Sequence, residues 1–433
     1  MGQTLLLVGL QWGDEGKGKV IDALSGGYEV VVRFQGGANA GHTVHIGEDQ
    51  FVLHLVPSGI LHEHTQCVLG NGMVVDPEGL LEEIEGLRTR GIRVEDNLAV
   101  SDRAHVVLPH HKLLDQARET ARGSSRLGTT GRGIGPCYAD KAARRGIRFA
   151  EMLAPGTFHE RLEAMVDLHN SVLENVFGAD SLEFEEIYDR YCGFADLLRP
   201  FVRDTVTLLH EALDEGRNIL LEGAQGSLLD LDFGTYPFVT SSGVITGASG
   251  GTGIPPNGID RVIGLAKAYC SRVGTGPFPT EQDNDVGETI RQTMEDHGGR
   301  EYGATTGRQR RCGWLDGVAL AHTAALSGAD ALAVSALDVL GAFETIKVCT
   351  AYRVEGERMT TFPASAAVLE LAEPEYEELP GWRCAISDAR RWEDLPRAAR
   401  DYVGFVEDLA GAPVQFISVG PNRQQMIERT ADD

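Results

Sequence analysis

The chain reads as an α/β protein: a large, mostly parallel central sheet flanked by helices, with a P-loop-like nucleotide-binding core and helical and hairpin insertions. Three observations predict this. Short β-branched or aliphatic runs alternate with stretches whose apolar residues recur at three-to-four spacing. The first run passes straight into a loop crowded with glycines, lysines and carboxylates. A composition of 42% apolar and 24% charged residues is that of an ordinary soluble protein, and 53 glycines imply many tight turns and ligand-facing loops.

Strands are expected at 4–10, 29–34, 67–69, 97–101, 218–222, 331–337 and 414–418. Helices are expected from about Lys17 to Ser25 and at 77–89, 109–121, 157–177, 200–216 and 317–327, where Pro77, Pro109 and Pro200 suit first helical positions. Segment 44–55 reads as a hairpin turning at Gly47-Glu48-Asp49-Gln50. No linker, low-complexity tract or internal repeat interrupts the chain. Residues 1–433 are therefore expected to form one large domain, with 150–216 and the final hundred residues added around the sheet.

With 39 lysines and arginines against 64 acids, the net charge of −25 argues against sequence-independent attraction to nucleic acid or to an anionic membrane. Any phosphate site must be locally positive. Seven scattered cysteines without a C-x-x-C pair, no leader segment and no run of 18 apolar residues fit a reduced cytoplasm.

The loop Gly13-Asp14-Glu15-Gly16-Lys17-Gly18-Lys19-Val20 is a phosphate cradle with one part missing. Against G-x4-G-K-[ST], Gly13, Gly18 and Lys19 match, but Val20 stands where a hydroxyl would hold magnesium. Asp14 is the substitute, because Mg2+ on nucleotide phosphates is held by one or two carboxylates plus phosphate oxygens. The bland alternative is a tight strand-to-helix turn, but turns rarely place so many glycines, lysines and carboxylates together.

Gln35-Gly36-Gly37-Ala38-Asn39-Ala40-Gly41-His42-Thr43 follows the second strand, so two glycine-rich loops face one crevice and His42 becomes a catalytic candidate. His45, His54, His62, His64, His110 and His111 lack that setting, and the pairs among them show no third ligand at metal spacing. Segment 128–146 gathers Arg132, Lys141, Arg144 and Arg145 among glycines and hydroxyls, a grip for a second phosphate or a solvated basic loop. Segment 303–311 repeats the logic with Arg308, Arg310 and Arg311, suited to a carboxylate and a polyphosphate or to a surface turn. Gln225 ends another strand, where its amide could meet a base edge, and Asp338 closes the strand at 331 as a candidate reader of guanine or a simple turn cap.

Together these segments, with Gly-Thr-Tyr-Pro-Phe-Val-Thr-Ser-Ser at 234–242 and Gly-Pro-Phe-Pro-Thr-Glu at 276–281, resemble the adenylosuccinate synthetase family over nearly the whole chain. The resemblance implies GTP-dependent ligation of IMP and L-aspartate through 6-phosphoryl-IMP. Asp14 would take the N1 proton of IMP, His42 would stabilise the phosphoryl group, and Lys17 and Gln225 would complete the catalytic set. GTP would be held by Gly13, Asp14, Glu15, Gly16, Lys17, Gly18, Lys19, Gly41, His42, Thr43 and Arg310, and its base by Ala336, Leu337, Asp338, Ser418, Val419 and Gly420. IMP would meet Asp14, Lys17, Asn39, Ala40, Gly41, His42, Thr130, Gln225, Thr240 and Arg308, and Arg144 would cross a homodimer interface to the partner's IMP site. Ala304, Thr305, Thr306, Gly307, Arg308, Gln309 and Arg310 would bind aspartate, and Asp14 with the Gly41 carbonyl would hold Mg2+.

One departure bears on the donor: the family usually has lysine where this chain has Ala336, removing an aliphatic stem and a charge from the base site. A related ligase using ATP or another purine monophosphate is the alternative. A GTP-binding switch protein is the reading from another class, but it would need neither a second phosphate site nor an arginine loop.

Overall fold

The computed structural model describes residues 2–47, 49–123, 126–303 and 307–429. Ten strands form the main sheet: β1 Thr4–Gly9, β2 Val30–Arg33, β3 Gln66–Leu69, β4 Leu98–Ser101, β5 Val202–Arg203, β6 Ile219–Gly226, β7 Arg261–Lys267, β8 Ala331–Ser335, β9 Val414–Ser418 and β10 Met426–Glu428. Their spatial order is β10-β9-β8-β7-β1-β6-β2-β3-β4-β5. All neighbours run parallel except β9 and β10.

Burial on both faces explains the strand sequences. Leu5 and Leu7 join one apolar cluster while Leu6 joins another, and Val31 and Val30 divide in the same way. A strand covered on both sides must be apolar at every position, so Leu-Leu-Leu-Val and Val-Val-Val read as continuous runs instead of alternating ones. The covering helices include α1 Lys17–Ser25, α2 Pro109–Arg122, α3 Ile134–Ala142, α4 Pro155–Val172, α5 Asp285–Asp296 and α6 Gly317–Ser327.

All seven expected strands lie in this sheet. The strand expected at 331–337 stops at Ser335 because Ala336 turns left-handed at φ 56°, and the one expected at 218–222 runs on to Gly226. The helix expected at 200–216 is shorter, Thr205–Asp214, since Val202–Arg203 pairs as β5. The expected helix 157–177 starts at Pro155 and loosens into a wider turn over Leu173–Phe177. The hairpin forms from His42–Ile46 and Asp49–Leu53.

The final hundred residues are more than an addition around the sheet. They supply β9 and β10 to one edge, and also a small satellite sheet in which Thr345–Val354 pairs with Leu315–Asp316, Glu357–Met359 and Glu373–Pro380. Among the described residues, no helix is long and apolar enough to cross a membrane.

Candidate active site

Parallel strands put all their carboxyl ends on one edge, and there the loops after β1, β2, β6, β7, β8 and β9 converge on a cleft of about 920 Å³. Among the described residues lining it are nine lysines and arginines against four carboxylates. A chain of net charge −25 has thus concentrated cations in one hollow, which favours anionic ligands there.

The first loop is shaped by backbone. Gly13 and Gly16 have φ 89° and 82°, and Asp14 between them is left-handed at φ 61°, a conformation that costs a non-glycine residue about 1 kcal/mol. Gly18 is needed for closeness: a Cβ there would sit 3.0 Å from the Cβ of His42 and 3.1 Å from the Thr43 carbonyl oxygen, so the two glycine loops meet over α1. The Glu15 carboxylate turns inward and accepts from the amides of Gln11 and Gly13 and from Lys17 Nζ, bracing the loop from below the cleft.

Asp14 lines the cleft, half-buried. Its Oδ2 accepts from Arg310 Nε at 2.8 Å, and Arg310 also donates to Glu301 at 3.1 Å. Glu301 in turn accepts from Lys267 Nζ at 2.7 Å and from the Tyr269 hydroxyl. Burial alone would raise the Asp14 carboxyl, but Arg310, Lys267 and Lys17 outweigh it and hold the group below the usual carboxylate range.

His42 stands over a fully buried carboxylate, with its Nδ1 bonded to Glu222, which also accepts from the Ser58 amide at 2.9 Å. A proton on Nδ1 leaves Nε2 as the other ring atom, with its lone pair free in the neutral form. Burial lowers the His42 pKa more than Glu222 raises it. Gln225 is left-handed at φ 58°, and neither its amide nitrogen nor its amide oxygen has a hydrogen-bond partner among the described residues although both are buried at the cleft wall. Such an orphaned amide costs about 1–3 kcal/mol unless a ligand or water satisfies it.

At the other end, Asp338, Ser418 and Gly420 line the cleft as expected. Lys19 Nζ donates to Ser418 Oγ at 2.7 Å and to the carbonyls of Gly420 at 2.6 Å and Gln425 at 2.9 Å, so it fastens the loop after β9 to α1. Its burial lowers the ammonium to about 7. Ala336 lines the same region, whereas Leu337 and Val419 pack inward in the core.

Asn39, Ala40, Gly41, Thr43, Thr130, Thr240, Gly307 and Arg308 all border the cleft. Arg308 donates to the Gly128 carbonyl at 2.8 Å, tying the two basic segments together. Gln309 is exposed outside it, Arg144 is exposed on the turn after α3 at φ 63°, and Ala304, Thr305 and Thr306 lie outside the described residues.

The His110-His111 pair, expected to have no third ligand, lies buried beside Asp140 and His169, and His110, Asp140 and His169 come close enough together to hold a metal ion. His111 and His169 both donate to one Asp140 oxygen, at 3.1 and 2.7 Å, and Arg145 takes the other at 2.7 Å. With its lone pairs already engaged, the carboxylate works here as a brace for α3.

Sequence reasoning missed Lys267, Glu301 and the role of Glu222. Lys267 ends β7, which went unread because Gly264 interrupts it. That glycine is required, since a Cβ there would lie 2.6 Å from Leu10 Cδ1, and the signal that remained was an apolar run ending in a cation before a turn.

This edge of a parallel sheet, with a carboxylate set inside a phosphate cradle and basic loops from both sides, defines an α/β nucleotide-dependent enzyme that holds more than one anion. A model of the family described as adenylosuccinate synthetase matches residues 6–427. The adenylosuccinate synthetase of Geobacter sulfurreducens is 50% identical over 98% of this chain and 97% of its own length, and that of Caldanaerobacter subterraneus is 50% identical over 98% of both. The fully ligated adenylosuccinate synthetase of Plasmodium falciparum superposes with TM-score 0.93 at 37% identity, covering 99% of this chain and 100% of that one. The chain belongs to the adenylosuccinate synthetase family, and is a ligase joining IMP to aspartate in purine biosynthesis.

Proposed function

We propose that the cleft performs this ligation in two steps with GTP as phosphoryl donor. Asp14 removes the N1 proton of IMP, O6 attacks the γ-phosphorus of GTP, and the bond from that phosphorus to the β-γ bridging oxygen breaks, giving 6-phosphoryl-IMP and GDP. The amine of aspartate then bonds to C6, its nitrogen gives up a proton to solvent, the C6–O6 bond breaks and phosphate leaves; phosphorylation has turned a poor oxygen leaving group into a good one. The observation that carries this reading is Asp14, held ionised by cations inside the phosphate cradle and so ready to accept a proton.

Lys17 and the amides opening α1 receive the donor's phosphates, and His42, steadied by Glu222 through Nδ1, faces the phosphoryl group in flight and donates Nε2–H to it when the ring carries both protons. The orphaned amide of Gln225 meets IMP together with Asn39, Thr130, Thr240 and Arg308. Arg310, with Gly307 and Arg308 of the same loop, receives the carboxylates of aspartate, and Asp338, Ser418 and Gly420 receive guanine. The exposed Arg144, outside the cleft of its own chain, reaches the IMP of a second copy in a homodimer.

The carboxylate of Asp14 and the carbonyl of Gly41, on adjoining loops of one cleft, are hard oxygen donors that fit Mg2+. When bound, the ion neutralises charge on the transferring phosphates. A cytoplasmic location accords with seven unpaired cysteines.

An absorbance assay on the purified protein tests the reading, omitting IMP, aspartate, GTP or magnesium in turn. Product should need all four, and sustained donor hydrolysis without aspartate would overturn it. The small side chain of Ala336 in the base region favours the second reading, a ligase drawing on ATP, and equal turnover with ATP would establish that instead.

A further inference from the structure

We infer that His297 sets the purine specificity of the phosphoryl donor by positioning Asp338. This rests on the reading above that Asp338 receives the donor's base. His297 closes α5 and bonds through Nδ1 to Asp338 Oδ2 at 2.6 Å. An ionised carboxylate only accepts, so Nδ1 carries the proton. Asp338 borders the cleft and His297 does not, so the imidazole braces the carboxylate from behind. The Lys19 amine, which also lies nearby, is committed to Ser418, Gly420 and Gln425.

The residues after His297 reach the cleft wall that the carboxylate also borders. Gly298 takes φ 83°, and a Cβ on it would lie 3.8 Å from Pro421 Cγ; both residues line the cleft. Gly299 folds tightly onto Met294, where a Cβ would meet Sδ at 2.3 Å. A carboxylate at the cleft wall beside a glycine and a proline ring suits a base edge that carries adjacent N–H donors. Guanine offers two such groups, N1–H and the 2-amino group, whereas hypoxanthine offers only N1–H and adenine presents an acceptor at N1. Two donors can be met together only if the carboxylate plane is fixed, and the bond from His297 fixes it.

Steady-state kinetics of the full-length enzyme with GTP and with inosine triphosphate, at saturating IMP and aspartate, test this. His297→Ala should raise KM for GTP about tenfold, the loss of one charge-assisted hydrogen bond. Its kcat and its KM for IMP should stay within about twofold, and its preference for GTP over inosine triphosphate should shrink. His297→Gln, which keeps an N–H donor, should restore most of that preference. An unchanged GTP KM in His297→Ala, beside an Asp338→Ala variant that loses the preference, overturns the role of His297 alone. If Asp338→Ala keeps the preference, the base reading falls and this inference with it.

Discussion

Two aspartates stand just before helices in this fold, and their surroundings make them opposites. Asp14 precedes α1 and lies against Arg310, with Lys267 and Lys17 near. Asp316 caps α6 at the satellite sheet, where it accepts from the Ala319 amide at 3.0 Å and the Tyr352 hydroxyl at 2.7 and 2.8 Å, with no cation among the described residues against it. Burial pushes both carboxyls up. At Asp14 three cations reverse that push, while at Asp316 the neutral donors only moderate it and the group rises to about 6. Burial alone therefore does not mark a functional carboxylate; the charges gathered around it do.

The comparison breaks most sharply at Asp14 itself. Asp14→Asn keeps shape and loses basicity, so kcat should fall roughly 10²–10⁴-fold, the usual worth of a general base. GTP binding should fall far less than kcat, because the cradle's amides, Lys17 and the Gly41 carbonyl remain and the amide oxygen of Asn can still face the ion. Near-normal turnover would remove Asp14 from the chemistry.

Arg310→Gln should sharpen it. With the guanidinium gone, burial acts on Asp14 with less opposition, and its pKa should rise. The base works deprotonated, so the acidic limb of the kcat/KM profile should move to higher pH. Rate will also fall, since Arg310 is proposed to hold substrate, but only the position of the limb reports on the ion pair. A limb at the wild-type pH would mean that Arg310 does not tune Asp14.

How much of this was legible follows from where the information sits. The P-loop, the second glycine loop and Gln225 were readable because each is a local run at a strand end. The ion-pair chain from Asp14 through Arg310 and Glu301 to Lys267 was not, because it joins residues up to 296 positions apart. Its last member also ends a strand hidden by a glycine that only close packing against Leu10 explains. Glu222 was visible in its motif, yet its function as the support of His42 depends on a contact across 180 positions. Lys19 matched the lysine of the cradle by position, while its actual partners on the loop after β9 come from chain that folds back some 400 residues later.

The smallest effect belongs to the other aspartate and leaves turnover untouched. Between about pH 4, where an unfolded-chain aspartate releases its proton, and about 6, native Asp316 still holds its own. The native state thus binds more protons than the unfolded one across that window, and raising pH through it must cost stability, by about 3 kcal/mol at most. Asn at this position can still accept from Ala319 but cannot titrate. In chemical denaturation from pH 4 to 7, wild type should therefore lose stability relative to Asp316→Asn as pH rises, with kcat unchanged between them. A difference curve flat in pH would show that Asp316 is ionised throughout like Asp14, and that cations are not what separates the two.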